Sequence, residues 1–149
     1  MTTTPYNSVD HALYVTTYDD ITFAVQGKPD GDYIAVTYDN DAIQAVAGVD
    51  GDVQFSQIKA SLGTITATNQ WGSPWNANMN HCFRNQQAGN YLKKLEVKRI
   101  SASENTTIWS TGRPMIVKTP DYSIGSKAND RAWAFKVENL VPGEFTAPV

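Results

Sequence analysis

Short runs in which apolar and polar residues alternate dominate this chain. Ile21, Phe23 and Val25 alternate with Thr22, Ala24 and Gln26, so one face of the run can enter a core while the other meets solvent or a partner. The pattern recurs at 33–38, a run rich in β-formers, and at 53–58, where Val53 and Phe55 share a face. At 62–68, Thr64, Thr66 and Thr68 oppose Ile65 and Ala67. Leu95 and Val97 oppose Glu96 and Lys98; Trp133, Phe135 and Val137 oppose Ala132, Ala134 and Lys136. Runs this short, separated by Gly, Pro, Asn and Asp, predict a mainly β domain built as an antiparallel sandwich or barrel rather than a βαβ layout. Lys28-Pro29-Asp30-Gly31-Asp32 and Val49-Asp50-Gly51-Asp52 each supply an Asp-Gly pair suited to a tight hairpin.

One segment reads as a helix, over 74–88. Ser73 suits the N-cap, Pro74 the first helical position where no amide donor is needed, and Gly89 a left-handed stop. Trp75, Met79, Cys82 and Phe83 fall on one face at helical spacing, with Asn76, Asn80 and Arg84 placed elsewhere. That stripe should pack on a sheet. The ends, 1–10 and 141–149, read as a flexible N-terminal arm and C-terminal tail, material suited to reaching a neighbour.

At 149 residues, 41% hydrophobic and 18% charged, the chain suits one domain spanning 1–149. It has no run near the roughly 20 apolar residues that cross a bilayer, and Met1-Thr2-Thr3-Thr4-Pro5 lacks the basic and apolar parts of a signal peptide, so no membrane insertion is expected. Cys82 is the sole cysteine, which excludes an internal disulfide and a multi-thiolate metal site. A net charge of −3 argues against a duplex-gripping surface, which needs clustered Lys and Arg. A wall that DNA slides past tolerates that balance.

The residues offer little chemistry. His11 and His81 lie in no metal-ligand spacing, and no nucleophile-elbow, Walker-type or dinucleotide-binding pattern occurs. Asp39, Asp41, Asp50 and Asp52 supply the hard oxygens calcium prefers, but Asp39-Asn40-Asp41-Ala42 lacks the central Gly and distant Glu of an EF-hand loop. Turn chemistry and a solvated rim explain these aspartates more simply. No catalytic residue, metal or cofactor is expected. Trp71, Trp75, Trp109 and Trp133, with seven tyrosines, keep a carbohydrate-binding module open as an alternative, although Trp75 and Trp133 lie on apolar faces and read as core. Trp71 and Trp109 remain available to stack on sugars.

The succession Tyr38-Asp39-Asn40-Asp41, Val46-Ala47-Gly48-Val49-Asp50-Gly51, Phe55-Ser56, Gly63-Thr64-Ile65-Thr66-Ala67-Thr68 and Ser73-Pro74-Trp75-Asn76 resembles the tail tube proteins of tailed phages, particularly those with contractile tails. Residues 115–118 and 132–137 stand where that family has its last strands. The resemblance covers the middle third by motif and the rest by order of elements.

It implies a structural virion protein with no active site, the tube fold with an extended loop and terminal arm, and self-assembly into stacked rings, usually of six, that form a conduit for DNA ejection. It also implies a place in the virion tail after assembly in the host cytoplasm, beside sheath, tape-measure, baseplate and tail-terminator proteins. Tube proteins of secretion and extracellular injection systems share the fold and stay open as an alternative. On this reading 39–52 is an extended assembly loop, with Asp39, Asp41, Ala45, Gly48, Asp50 and Gly51 as ring-stacking contacts. Gln54, Ser56, Thr64, Thr66 and Thr68 are candidates for the lumen lining, since small polar side chains hydrate a wall without holding phosphate. The connection 101–107 is a further stacking candidate, and Lys94, Glu96 and Lys98 could meet a sheath.

Overall fold

The computed structural model describes residues 10–26, 28–29, 33–57, 62–100 and 105–143. The elements, in chain order, are β1 (His11–Thr16), β2 (Thr22–Ala24), β3 (Ile34–Tyr38), β4 (Ile43–Ala47), β5 (Val53–Gln57), β6 (Gly63–Asn69), α1 (Pro74–Gln87), β7 (Lys94–Ile100), β8 (Asn105–Ser110), β9 (Pro114–Lys118), β10 (Arg131–Val137) and β11 (Val141–Pro142). They form a five-stranded sheet in the order β11-β8-β7-β1-β2, a four-stranded sheet in the order β3-β6-β10-β9, and the separate pair β4-β5. Every pairing is antiparallel. This is a sandwich with one helix, as the alternation predicts; neither sheet closes into a barrel.

Alternation places the core. Leu13, Val15, Leu95 and Val97 from the first sheet face Ile65, Ala67, Trp133, Phe135 and Val137 from the second, all buried in one cluster. The helix closes that cluster with Trp75, Met79 and Cys82. Trp75 meets Trp133 edge-on, with centroids 6.4 Å apart and planes at 84°. Such a pair contributes about 0.5–1.5 kcal/mol beyond its buried area. The cap chemistry holds: Trp75 N–H donates to Ser73 Oγ at 3.2 Å, and Gly89 adopts φ 93° one residue past the C-cap, Ala88. Ser73 Oγ also donates to Gln26 O at 2.7 Å, tying the helix start to the chain two residues past β2.

Four expectations change. Strand β1 has no counterpart among the expected strands, although Leu13 and Val15 alternate correctly and sit at the centre of their sheet. The 101–107 connection is in part strand: Asn105 pairs with Ile100, and Thr106 and Thr107 continue β8. The tail expected from 141 begins inside a sheet, because Val141 and Pro142 pair with Ser110 and Trp109, and Gly143 N–H donates to Ile108 O. Asn76 is not peripheral but buried. It accepts from Trp133 Nε1 at 3.0 Å and donates to Gln70 O and Trp71 O at 3.2 and 3.1 Å, so one amide ties the helix to β10 and to the turn after β6. The Asp30-Gly31-Asp32 turn, residues 1–9 of the arm, 101–104, and 144–149 of the tail lie outside the described residues.

Candidate functional site

The segment 39–52, expected to be a loop, is half of a β-hairpin. Strands β4 and β5 pair from Ile43↔Gln57 to Ala47↔Val53. Gly51, at φ 88°, turns the chain between them, and Gly48 N–H donates to Asp52 O at 2.6 Å. The hairpin extends the β3–β6 ribbon: Tyr38 pairs with Gly63, Asp39 N–H donates to Leu62 O, and β4 resumes four residues after β3. Five residues separate β5 from β6, one more than on the facing side. That extra residue shifts the register by one, and a one-residue shift exchanges faces along one strand of a pair.

The faces sort the candidates. Directly opposed residues of an antiparallel pair share a face. One side of the hairpin therefore carries Ile43, Ala45, Ala47, Val53 and Phe55 with Gln57, and the other carries Gln44, Val46, Gln54 and Ser56. All ten strand residues are exposed, Phe55 to 71%. Five-residue strands span about 17 Å, so the arm reaches well past the sandwich. Ala45, Gly48, Asp50 and Gly51 stand on this arm. Asp39 and Asp41 stand at its base.

Asp39 is engaged within its own chain. Lys136 Nζ donates to Asp39 Oδ2 at 2.8 Å and to Thr64 Oγ1 at 3.0 Å, while Thr64 Oγ1 donates to Asp39 Oδ1 at 2.8 Å. The hydrogen bonds from Lys136 and Thr64 hold the Asp39 carboxyl below the usual carboxylate range. This triad marks the outer face of the four-stranded sheet. There Thr64, Thr66 and Thr68 are half-buried between Ala35 and Thr37 on β3 and Ala132, Ala134 and Lys136 on β10. Lys136 is the one charged side chain on that face of β3, β6 and β10, and Asp39 neutralises it. Gln54 and Ser56 belong instead to the hairpin, so the five lumen candidates fall on two separate sheets.

Other candidates are placed as follows. Lys94, Glu96 and Lys98 share the outer face of β7, where Glu96 bridges both lysines at 3.0 and 3.7 Å. Trp109 is partly buried and meets Tyr38 edge-on at 5.8 Å, while Tyr38 Oη donates to Leu140 O. Trp71 lies beyond the other end of β6, about 20 Å away by strand rise, so Trp71 and Trp109 form no shared stacking platform. Among the described residues there is no group of three or more His, Cys, Asp or Glu able to hold a metal, and no helix long and apolar enough to cross a membrane.

Sequence reasoning missed Gln86. Ile116 N–H donates to Gln86 Oε1 at 2.8 Å, and Gln86 Nε2 donates to Ile116 O at 2.9 Å. The amide acts as a short strand on the outer edge of β9. One edge of the four-stranded sheet is thus occupied, while β3, at the other edge, has no strand beside it among the described residues. A Gln on a helix carries no signal of that role.

A family model described as bacteriophage PhiTE tail tube protein matches residues 1–141. The chain belongs to that family. Its members are tail tube proteins, so the chain is a structural tail protein. Among solved structures, one similar chain comes from the sheath/tube terminator of the extracellular contractile injection system PVC in its extended state. The TM-score is 0.60 at 10% identity, covering 93% of this chain and 96% of that one. A chain of the sheath-tube complex of the same system gives 0.60 at 9% identity, covering 92% and 90%. The tube-terminating cap of the anti-feeding prophage gives 0.57 at 8% identity, covering 95% and 92%. These likenesses show the fold. A search of curated proteins returns no match.

Proposed function

We propose that this tail tube family member polymerises into stacked rings that enclose a conduit for DNA. The observation that carries the reading is the outer face of β3, β6 and β10: small Ala and Thr side chains around Lys136, already paired with Asp39 at 2.8 Å, while Lys118, opposite Ala134 on the edge strand β9, lies 3.9 Å from Asp121. Phosphate is held by unpaired Lys and Arg, and each neutralised phosphate tightens and slows the contact. A hydroxyl-rich wall without them hydrates DNA and lets it slide. Thr64, Thr66 and Thr68 are the lumen lining on this reading.

Ring closure needs an open sheet edge, because subunits joined edge to edge satisfy backbone groups that are otherwise exposed. Gln86 occupies the β9 edge, which leaves β3 and its continuation into β4 as the longest free edge among the described residues. Six copies per ring is the expected number, and DNA passes through the ring during ejection. Sheath, tape-measure, baseplate and terminator proteins are the expected partners, with assembly in the host cytoplasm and residence in the virion tail. The likeness to chains from a sheath-tube complex and a tube terminator supports the sheath and terminator among those partners.

Negative-stain microscopy of the purified chain tests the reading. Rings or hollow tubes are expected, with the ring number read from end-on views. A chain that stays monomeric at high concentration and is retained on glycan columns would be a carbohydrate-binding module instead.

A further inference from the structure

The hairpin and a cleft at the far end of the same sheet are unpartnered surfaces of complementary chemistry. The hairpin leaves the four-stranded sheet at the end where Tyr38, Gly63, Val137 and Pro114 are in register. The opposite end carries Asn69, Arg131 and Lys118, the turn containing Trp71, and the connection 119–130 between β9 and β10. There a cleft of about 240 Å³ is lined by Trp71, Ile124, Lys127 and neighbouring small residues. Trp71 is 49% exposed, Tyr122 61% and Ile124 83%, a concentration of apolar surface that the described residues leave open apart from Arg131 on the Tyr122 ring.

Charge points to the occupant. Residues 39–57 hold four aspartates and no Lys, Arg or His. Residues 118–131 hold Lys118, Lys127 and Arg131 against Asp121 and Asp130. Lys118 sits 3.9 Å from Asp121 and Arg131 stacks on Tyr122, but Lys127, Asp50 and Asp52 have no ion pair among the described residues. An exposed two-stranded hairpin is marginal in water and gains stability when its apolar face is covered. Complementary charge favours one orientation of the encounter.

We infer that the β4–β5 hairpin of one copy docks in the Trp71–Ile124–Lys127 cleft of the next copy, Phe55 and Val53 covering Trp71 and Ile124 while Asp50 or Asp52 pairs with Lys127. The inference rests on the tube reading and deepens it. Because donor and acceptor surfaces lie at opposite ends of one sheet, the contact is head-to-tail and does not satisfy itself within a pair. Each copy offers a fresh cleft to one neighbour and a fresh hairpin to another. Such heterologous contacts propagate, which is what stacking rings requires.

Paired cysteine variants test it under mild oxidation. Phe55→Cys with Ile124→Cys is expected to give a ladder of cross-linked multimers on non-reducing gels, at least tenfold stronger than Phe55→Cys with Ile21→Cys, an exposed apolar control elsewhere. The native Cys82 stays out of the reaction, since burial, with the nearby Asp19 carboxylate, pushes its thiol up to about 11. Asp50→Lys/Asp52→Lys and Lys127→Asp should each lower the polymerised fraction, and combining them should restore it. Rings or tubes without the Ile124 ladder, or a ladder through Ile21, would overturn this contact and leave the tube reading standing. A wild-type chain that forms neither rings nor tubes would overturn both.

Discussion

The Gln86 side-chain amide pairs with both backbone groups of Ile116, at 2.8 and 2.9 Å, and so occupies the outer edge of β9 with a helix residue. Gln86→Ala leaves a strand N–H and C=O without that partner. Loss of the pair is expected to cost about 1–3 kcal/mol. For a domain of this size each kcal/mol lowers the thermal midpoint by about 2–4 °C. The freed edge should also add strands from other copies. Calorimetry and light scattering are the measurements: a lower midpoint with irregular aggregates is expected, and unchanged stability with unchanged scattering would count against the role. Gln86→Glu keeps the acceptor and loses the donor, so its midpoint should fall between the two.

Trp133 and Asn76 make the corresponding link in the core. Asn76→Leu removes the acceptor for a fully buried indole N–H and the two donors that hold the Gln70 and Trp71 carbonyls. Leaving buried polar groups unpaired costs about 1–3 kcal/mol each, so unfolding in denaturant should shift to lower concentration by an amount equivalent to several kcal/mol. Asn80→Leu, at a solvent-facing position of the same helix, should move the transition little.

These two residues also show where the sequence was legible and where it was not. Period-two alternation revealed the strands whose buried side chains alternate strictly, such as Leu95 and Val97 or Trp133 and Phe135, because each burial decision is local. The helix was legible for the same reason, through Ser73, Pro74 and Gly89. Asn76 reads as off the core because its polarity follows from the residue type, whereas its burial depends on Trp133, 57 positions away. Of the hairpin, the turn at Asp50-Gly51 and the β5 run are legible, but 39–52 reads as a loop because β4 is flanked by aspartates and built largely from small residues, and its pairing depends on β5. Thr64 to Thr68 were correctly seen to share a face. That Gln54 and Ser56 lie on a different sheet follows from where the sheet ends, which alternation does not encode.

Asp39 makes stability depend on acid pH. Its carboxyl is held below the usual range, first by the hydrogen bond from Lys136 and next by that from Thr64. A carboxylate whose folded value is depressed stabilises the fold at pH above its unfolded value and loses that contribution as pH falls through the folded one. Thermal midpoints measured as the pH falls through and below the usual carboxylate range should therefore fall more steeply for the wild type than for Asp39→Asn, with the two curves converging at the acid end. Parallel curves would mean that the Asp39–Lys136 pair is equally strong in the unfolded chain.

The hairpin separates folding from assembly, and its excision is the sharpest test of that division. Every strand residue of β4 and β5 is exposed, and no side chain of the pair belongs to the buried core. Replacing 43–57 with a short Gly-Ser linker should therefore keep the thermal midpoint within a few degrees of wild type, since substitutions and deletions away from buried contacts change stability little. Removing only 42–47 is a poorer experiment, because it strips β5 of its partner and exposes Val53 and Phe55 on an unpaired strand. Phe55→Ser provides the milder counterpart: the hairpin and its turn remain, but its largest apolar side chain is lost. In sedimentation and negative-stain images the excised chain should remain a folded monomer or single ring, and Phe55→Ser should polymerise only at higher protein concentration. Long tubes from the excised chain would show that stacking uses surfaces of the sandwich itself, and the arm would then lose its assigned role.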